Sequence, residues 1–77
     1  MTITFNLYSS EGCHLCEQAL QLCQQAKLEP SLQVVDIVEH EHLAEQYGVH
    51  IPVLERLSDG QKLFWPFTQQ QIEELMH

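Results

Sequence analysis

The chain has 77 residues, which is enough for one small domain with a modest core, and we expect residues 1–77 to form that domain. Its formal net charge is −8, with Lys27, Arg56 and Lys62 as the fixed cations, which argues against a nucleic-acid or anionic-membrane surface. No apolar run approaches the roughly 20 residues of a membrane span, and the first residues lack the basic stretch of a signal peptide. We therefore expect a cytoplasmic protein.

The hydrophobic pattern of the first half predicts a strand followed by a helix. Residues 2–8 are rich in β-branched and aromatic side chains, which is typical of a strand, and residues 9–12 have the composition of a turn. From residue 13 to about residue 27 apolar side chains recur with helical spacing, so this segment predicts an amphipathic helix with one buried face. Pro30 is expected to end it.

The middle of the chain predicts a strand, a short helix and a hairpin. Residues 32–38 are rich in Val and Ile without strict alternation, which predicts a strand that suits a sheet covered on both faces. Residues 41–47 predict a short helix, with Gly48 at the C′ position. Residues 49–57 and 62–65 predict two strands, and the Ser-Asp-Gly-Gln turn between them predicts a hairpin.

The last helix has a clear start signal. Thr68 and Gln71 match a capping box, with Phe67 and Ile72 at the hydrophobic staple positions. The predicted order is therefore β-α-β-α-β-β-α. A parallel first pair of strands with a helical crossover, followed by a hairpin, predicts an α/β fold with a mixed four-stranded sheet flanked by helices.

Cys13 and Cys16 are the most informative residues of the chain. A CxxC pair between a strand and a helix is typical of a redox dithiol. One thiol must be accessible and ionised to attack a disulfide, and the second must lie close enough to resolve the mixed disulfide. Positions i and i+3 share a helix face, and the positive end of the helix favours a thiolate at Cys13. This predicts Cys13 as the nucleophile and Cys16 as the resolving cysteine.

Two other interpretations of this pair remain open, namely a structural pair or half of a metal site. A tetrahedral zinc site needs more ligands than one cysteine pair supplies, and the chain has no second CxxC. The histidines at positions 40, 42 and 50 also lack the spacing of a zinc motif. We therefore expect neither a metal nor an organic cofactor. Cys23 lies on the predicted buried face of the first helix and is expected to pack as a small apolar residue.

Two segments of the chain resemble glutaredoxins. Residues 7–16, LYSSEGCHLC, are similar to their strand–loop–CxxC start, and residues 47–54, YGVHIPVL, are similar to their cis-proline segment. Residues 65–67, Trp-Pro-Phe, resemble a stretch near the end of short bacterial glutaredoxin-like proteins. The resemblance implies a thioredoxin-type fold and thiol–disulfide exchange.

The resemblance also implies roles for residues near the dithiol. It implies a cis peptide bond between Ile51 and Pro52, which would shape the substrate groove and present the Ile51 backbone to a substrate strand. Independently of the resemblance, His14 lies between the cysteines, and as an imidazolium it would favour the Cys13 thiolate. A solvated histidine without such a role is the alternative.

Departures from the glutaredoxin pattern argue against strong dependence on glutathione. Ser10 stands where glutathione-binding members usually carry Lys, and Glu11 adds negative charge. The glycine pair and acidic residue that follow the hairpin in glutaredoxins are missing. We expect a monomer that acts on a protein disulfide, with a thioredoxin reductase-like protein or glutathione as upstream reductant. The alternative is a non-enzymatic metal-binding, iron–sulfur-binding or protein-interaction module on the same fold.

Overall fold

The structure, a computed structural model, describes residues 3–77, so Thr2 of the predicted first strand lies outside the described residues. The predicted element order is confirmed. The elements are β1 (Phe5–Ser9), α1 (His14–Gln25), β2 (Leu32–Asp36), α2 (Glu41–Tyr47), β3 (Val53–Arg56), β4 (Lys62–Phe64) and α3 (Gln69–Leu75). Two short 3₁₀ turns, Glu29–Ser31 and Ile37–Glu39, flank β2.

The four strands form the predicted mixed sheet, in the order β2-β1-β3-β4. β1 runs parallel to β2, with Leu7 opposite Val34, and antiparallel to β3, with Tyr8 opposite Val53. β3 and β4 are antiparallel. Because of these directions the end of β1 and the start of β3 lie at the same end of the sheet, and Cys13 follows β1 at that end.

The helices bury the two faces of the sheet unequally. Side chains alternate along β1, so that Leu7 joins the core under α1 and α3 while Tyr8 joins a smaller core under α2. In the smaller core the rings of Tyr8 and Tyr47 stack with their centroids 4.6 Å apart. The larger core contains these further fully buried side chains: Ala19, Cys23, Leu54 and Ile72.

β2 is shorter than the sequence predicts. It ends at Asp36 and not at residue 38, because the Asp36 carboxylate accepts a hydrogen bond of 2.9 Å from the Val38 N–H and begins a 3₁₀ turn. β2 is also an edge strand, and Gln33 and Val34 are exposed. The sheet is covered by helices on both faces, as expected, but its edge at β2 is partly exposed.

The predicted strand over residues 49–57 begins only at Val53. The preceding residues form a turn in which the N–H groups of His50 and Ile51 both donate to the Tyr47 carbonyl, at 2.8 and 3.1 Å. The Ile51–Pro52 peptide bond in this segment is cis, as is the Trp65–Pro66 bond just after β4. The N–H groups of His50 and Ile51 are therefore not available to the sheet.

Gly48 does not take the left-handed C′ conformation that its position predicted. Its φ of −51° and ψ of −37° continue the helical path, and its N–H donates to the Ala44 carbonyl at 2.9 Å. A Cβ at Gly48 would collide with that carbonyl oxygen. The glycine is therefore explained by close backbone approach at the end of α2.

The end of α1 is set by local hydrogen bonds. Lys27 has a positive φ of 62°, its N–H donates to the Gln24 carbonyl at 3.0 Å, and the Leu28 N–H donates to the Cys23 carbonyl at 2.9 Å. This is the Schellman pattern, and Leu28 and Cys23 are buried in the same core, as that motif favours. The helix thus ends two residues earlier than predicted, and Pro30 lies in the following 3₁₀ turn.

The start of α3 follows the predicted capping box. The Thr68 hydroxyl accepts from the Gln71 N–H at 3.1 Å, and the Gln71 side-chain oxygen accepts from the Thr68 N–H at 2.8 Å. Phe67 and Ile72, at the staple positions, are both buried in the larger core. This start fixes α3 against the same sheet face as α1.

Lys27→Gly is expected to stabilise the protein by about 0.5–1 kcal/mol. A left-handed conformation costs a non-glycine residue about 1–2 kcal/mol, and the greater freedom of glycine in the unfolded chain offsets about 0.4–1 kcal/mol of the gain. Urea denaturation measures the change. Lys27→Ala, which removes the charge but keeps the Cβ, is the control and should give no stabilisation. A Lys27→Gly protein no more stable than Lys27→Ala would contradict this account.

Candidate dithiol site

Cys13 is the N-cap residue of α1. Its backbone is extended, with φ −86° and ψ 108°, and its carbonyl accepts the first helical hydrogen bond, from the Glu17 N–H at 3.2 Å. The Cys13 Sγ accepts a hydrogen bond from the Cys16 N–H at 3.2 Å. The sulfur thus occupies the place of the usual capping oxygen, where a free helix N–H and the positive end of the helix favour negative charge.

The two cysteines of the motif are paired as a disulfide. Their Cα atoms lie 5.2 Å apart, within the usual disulfide range of about 4.4–6.8 Å. Their exposures differ, because Cys13 caps the helix at the surface and is partly exposed, whereas Cys16 lies one turn along on the buried face and is 5% exposed. An approaching thiol or disulfide therefore reaches the Cys13 sulfur more readily.

Cys23 is the free cysteine of the described chain, and it lies in the larger core with no exposed surface. Burial raises the pKa of its thiol to about 11, so the thiol stays protonated at neutral pH. This confirms the expectation that Cys23 packs as a small apolar residue.

A groove of about 250 Å³ borders the dithiol, between α1 and the edge strand β2. Its floor is apolar and contains Leu7, Leu20 and Val34. Its rim carries two carboxylates, Glu11 and Glu17. The other lining residues are Ser9, Ser10, Gly12, Cys13 and Cys16. Within residues 3–77, no Lys, Arg or His side chain lines this groove.

Three residues of the groove were not identified from the sequence. Glu17 and Leu20 each lie four residues after a cysteine of the motif, so helix spacing could have placed them on its face. Val34 enters the groove because it pairs with Leu7 across the parallel β1–β2 ladder. No local pattern predicts that register.

His14 lies in solvent beside Glu17. Its side chain is 90% exposed, and its Nδ1 lies 3.7 Å from the Glu17 Oε2, so the two form an ion pair when the imidazole is protonated. The structure therefore brings this histidine to a carboxylate of the groove rim.

Ile51 and Pro52 lie at the dithiol end of the sheet, next to Val53, but neither lines the dithiol groove. Pro52 is fully buried and its carbonyl accepts from the Trp65 N–H at 3.2 Å. Since the Ile51 N–H donates to Tyr47 and the Pro52 carbonyl accepts from Trp65, the Ile51 carbonyl is the remaining polar backbone group of this dipeptide.

A second groove lies on the α2 side of the sheet. It has a volume of about 360 Å³, and His50 packs edge-to-face on Phe64 within it, with the ring centroids 5.7 Å apart. The other lining residues are Gln46, Tyr47 and Lys62. His50 is thus associated with β4, and it does not line the dithiol groove.

The fixed cations do not line the dithiol groove. Arg56 forms two hydrogen bonds to Asp59, of 3.0 and 2.6 Å, and this pairing holds the pKa of Asp59 at about 2. The Lys62 Nζ lies 3.6 Å from the Glu55 carboxylate. Lys27 follows the C-terminal end of α1, one helix length from Cys13. The electrostatic field at the dithiol therefore comes from the helix start and from the carboxylates.

Residues 3–77 contain no group of three or more His, Cys, Asp or Glu side chains placed to hold a metal ion. None of the helices within this range is both long and apolar enough to cross a membrane.

Comparisons with known proteins identify the family. The model of a family described as Glutaredoxin-like domain (DUF836) matches residues 4–77. No curated protein matches the chain significantly. The crystal structure of the structural genomics target protein XcR50 from X. campestris is 32% identical, with a TM-score of 0.84 over 94% of this chain and 93% of that one.

A second solved structure agrees with this assignment. The solution structure of protein Ne2328 from Nitrosomonas europaea is 27% identical, with a TM-score of 0.76 over 94% of this chain and 88% of that one. Since the family match spans nearly the whole chain and these structures share its architecture, the chain belongs to the glutaredoxin-like domain (DUF836) family and has a thioredoxin-like fold.

Proposed function

We propose that this protein is a thiol–disulfide oxidoreductase. The observation that carries the proposal is the asymmetry of the cysteine pair. Cys13 is partly exposed and its sulfur accepts a helix N–H, whereas Cys16 is buried within disulfide distance of it. Such a pair combines an accessible thiolate with a protected resolving thiol, which is what disulfide exchange needs.

In the proposed reaction the reduced dithiol donates two electrons to a substrate disulfide. The Cys13 thiolate attacks one substrate sulfur, forms a mixed disulfide and releases the other sulfur as a thiolate that takes a proton. The Cys16 thiolate then attacks the Cys13 Sγ, forms the Cys13–Cys16 disulfide and releases the second substrate thiol. In the first step the Cys16 N–H hydrogen bond favours the Cys13 thiolate. In the second step the Cys13 sulfur is the atom attacked, and the substrate thiolate is the leaving group.

The substrate we propose is a protein disulfide, and we propose that the substrate strand beside this disulfide contacts the Ile51 carbonyl. The upstream reductant is a thioredoxin reductase-like protein in preference to glutathione. The charges at the site support this preference, since Glu11 and Glu17 line the groove while Arg56 and Lys62 are paired elsewhere. Glutathione carries two carboxylates and would meet repulsion there. We place the reaction in the cytoplasm, where cellular reductants keep dithiols available in the reduced form.

Cys13→Ser should abolish the activity. The pre-reduced protein is expected to reduce hydroxyethyl disulfide, a neutral substrate, and the rate should fall at least about a hundredfold when the nucleophile is removed. Cys23→Ala is the matched control, and it should retain the rate to within about twofold because that thiol is buried and protonated. A Cys13→Ser protein that still reduces the disulfide at the original rate would refute the proposal.

Ser10→Lys should improve the use of glutathione. A charged hydrogen bond contributes about 1.5–3 kcal/mol, so kcat/KM for glutathione is expected to rise about tenfold or more in a coupled assay with glutathione reductase. Ser58→Lys, which adds the same charge in the exposed turn after β3 at the opposite end of the sheet, is the control and should have little effect. Wild-type turnover that already saturates at low millimolar glutathione would contradict the expectation.

A further inference from the structure

The dithiol groove combines an apolar floor with two carboxylates on its rim. Within residues 3–77, no basic side chain of the lining balances those carboxylates. Val34 on its floor is 49% exposed and lies beside the partly buried Leu20. Glu11 and Glu17 stand on the rim, and the Glu17 side chain is 72% exposed. An occupant that fits must therefore present apolar surface to the floor and positive charge to the rim.

The carboxylates of the rim are not neutralised by fixed cations. Arg56 is bonded to Asp59 and Lys62 is paired with Glu55, so neither is committed to the groove. His14 is the titratable group beside Glu17. The rim is thus electronegative around a dithiol that must form a transient bond to its substrate.

We propose that Glu11 and Glu17 determine substrate specificity by selecting peptide or protein disulfides whose cysteine is flanked by lysine or arginine. The alkyl stem of such a side chain covers Leu20 and Val34, while its charged head reaches the carboxylates, as long basic side chains do on apolar surfaces. A disulfide flanked by acidic residues is repelled. This inference rests on the proposed oxidoreductase function and adds to it the chemical class of the substrate.

The selection acts on the first step of the exchange. The Cys13 thiolate attacks the nearer substrate sulfur, the substrate disulfide breaks, and the departing thiolate takes a proton from water. Cys16 then closes the Cys13–Cys16 disulfide and releases the flanked cysteine as its thiol. The dithiol is oxidised and the substrate disulfide is reduced by the same two electrons. Glu11 and Glu17 take no part in the bond changes and act through the encounter with the charged substrate.

Three disulfide probes of matched chemistry test the inference. They are the oxidised dimers of acetyl-lysyl-cysteine amide, acetyl-glutaminyl-cysteine amide and acetyl-glutamyl-cysteine amide, each given to the pre-reduced full chain. The ratio of kcat/KM for the lysyl probe to that for the glutamyl probe is expected to be about tenfold at low salt. It should fall to about twofold in a Glu11→Gln/Glu17→Gln double variant and also in concentrated salt.

Glu29→Gln is the matched control, since it removes an exposed carboxylate from the 3₁₀ turn before β2, at the other end of the sheet. It should leave the ratio close to the wild-type value. A wild-type ratio near one would overturn the inference. It would also be overturned if Glu29→Gln lowered the ratio, per charge removed, as much as the double variant does. The neutral glutaminyl probe separates the two claims. Failure to reduce it defeats the proposed function, whereas its reduction with an unchanged ratio in the double variant defeats the specificity alone.

Discussion

The hydrogen bond from the Cys16 N–H to the Cys13 Sγ is the interaction on which the site depends. It exists because the chain turns sharply between β1 and α1. Gly12 has a positive φ of 79° there, a conformation that favours glycine, and the Cys13 N–H donates to the Ser10 carbonyl at 3.3 Å. The turn places Cys13 at the N-cap position of α1, and Cys16 then lies one helical turn further along on the buried face. One backbone geometry thus sets the exposure of one sulfur, the burial of the other and the stabilisation of negative charge.

The second determinant of the site is the distribution of charge around it. With three fixed cations in a chain of net charge −8, the place where each cation is held decides which ligands the protein can accept. Arg56 holds the hairpin turn and also donates to the Leu75 carbonyl at the end of α3, and Lys62 lies against Glu55. Both interactions connect elements of the fold to each other, and neither involves the dithiol groove. The groove at the dithiol is left with its carboxylates, which is the basis for our proposal that it disfavours an anionic thiol such as glutathione.

Much of the fold could be predicted from local patterns in the sequence. Helical spacing after Cys13, the capping box at Thr68 and the turn chemistry of the hairpin each depend on near neighbours, and they yield the order of elements and the mixed sheet. The site is also partly predictable, because Cys13 and Cys16 lie three residues apart at the start of a helix. The burial of Cys23 also follows from its position on the helix face.

The remaining features depend on contacts between distant segments. Val34 reaches the groove through the β1–β2 register, and its exposure follows from the edge position of β2, which no local alternation reveals. Gly48 was assigned to a left-handed cap from its type alone, whereas the approach of the Ala44 carbonyl explains it. The partners of Arg56 and Lys62 could not be predicted for the same reason, and without them the charge at the dithiol could not be assigned.

Trapping of the mixed disulfide tests the central claim most directly. The reduced Cys16→Ser variant, mixed with a cysteine-containing peptide disulfide, should accumulate a covalent adduct that mass spectrometry of proteolytic fragments locates on Cys13. The reduced Cys13→Ser variant should accumulate little adduct, because Cys16 is buried and lacks the N-cap environment. An adduct that forms equally fast on Cys16 in the Cys13→Ser variant, or that resides on Cys23, would contradict the account.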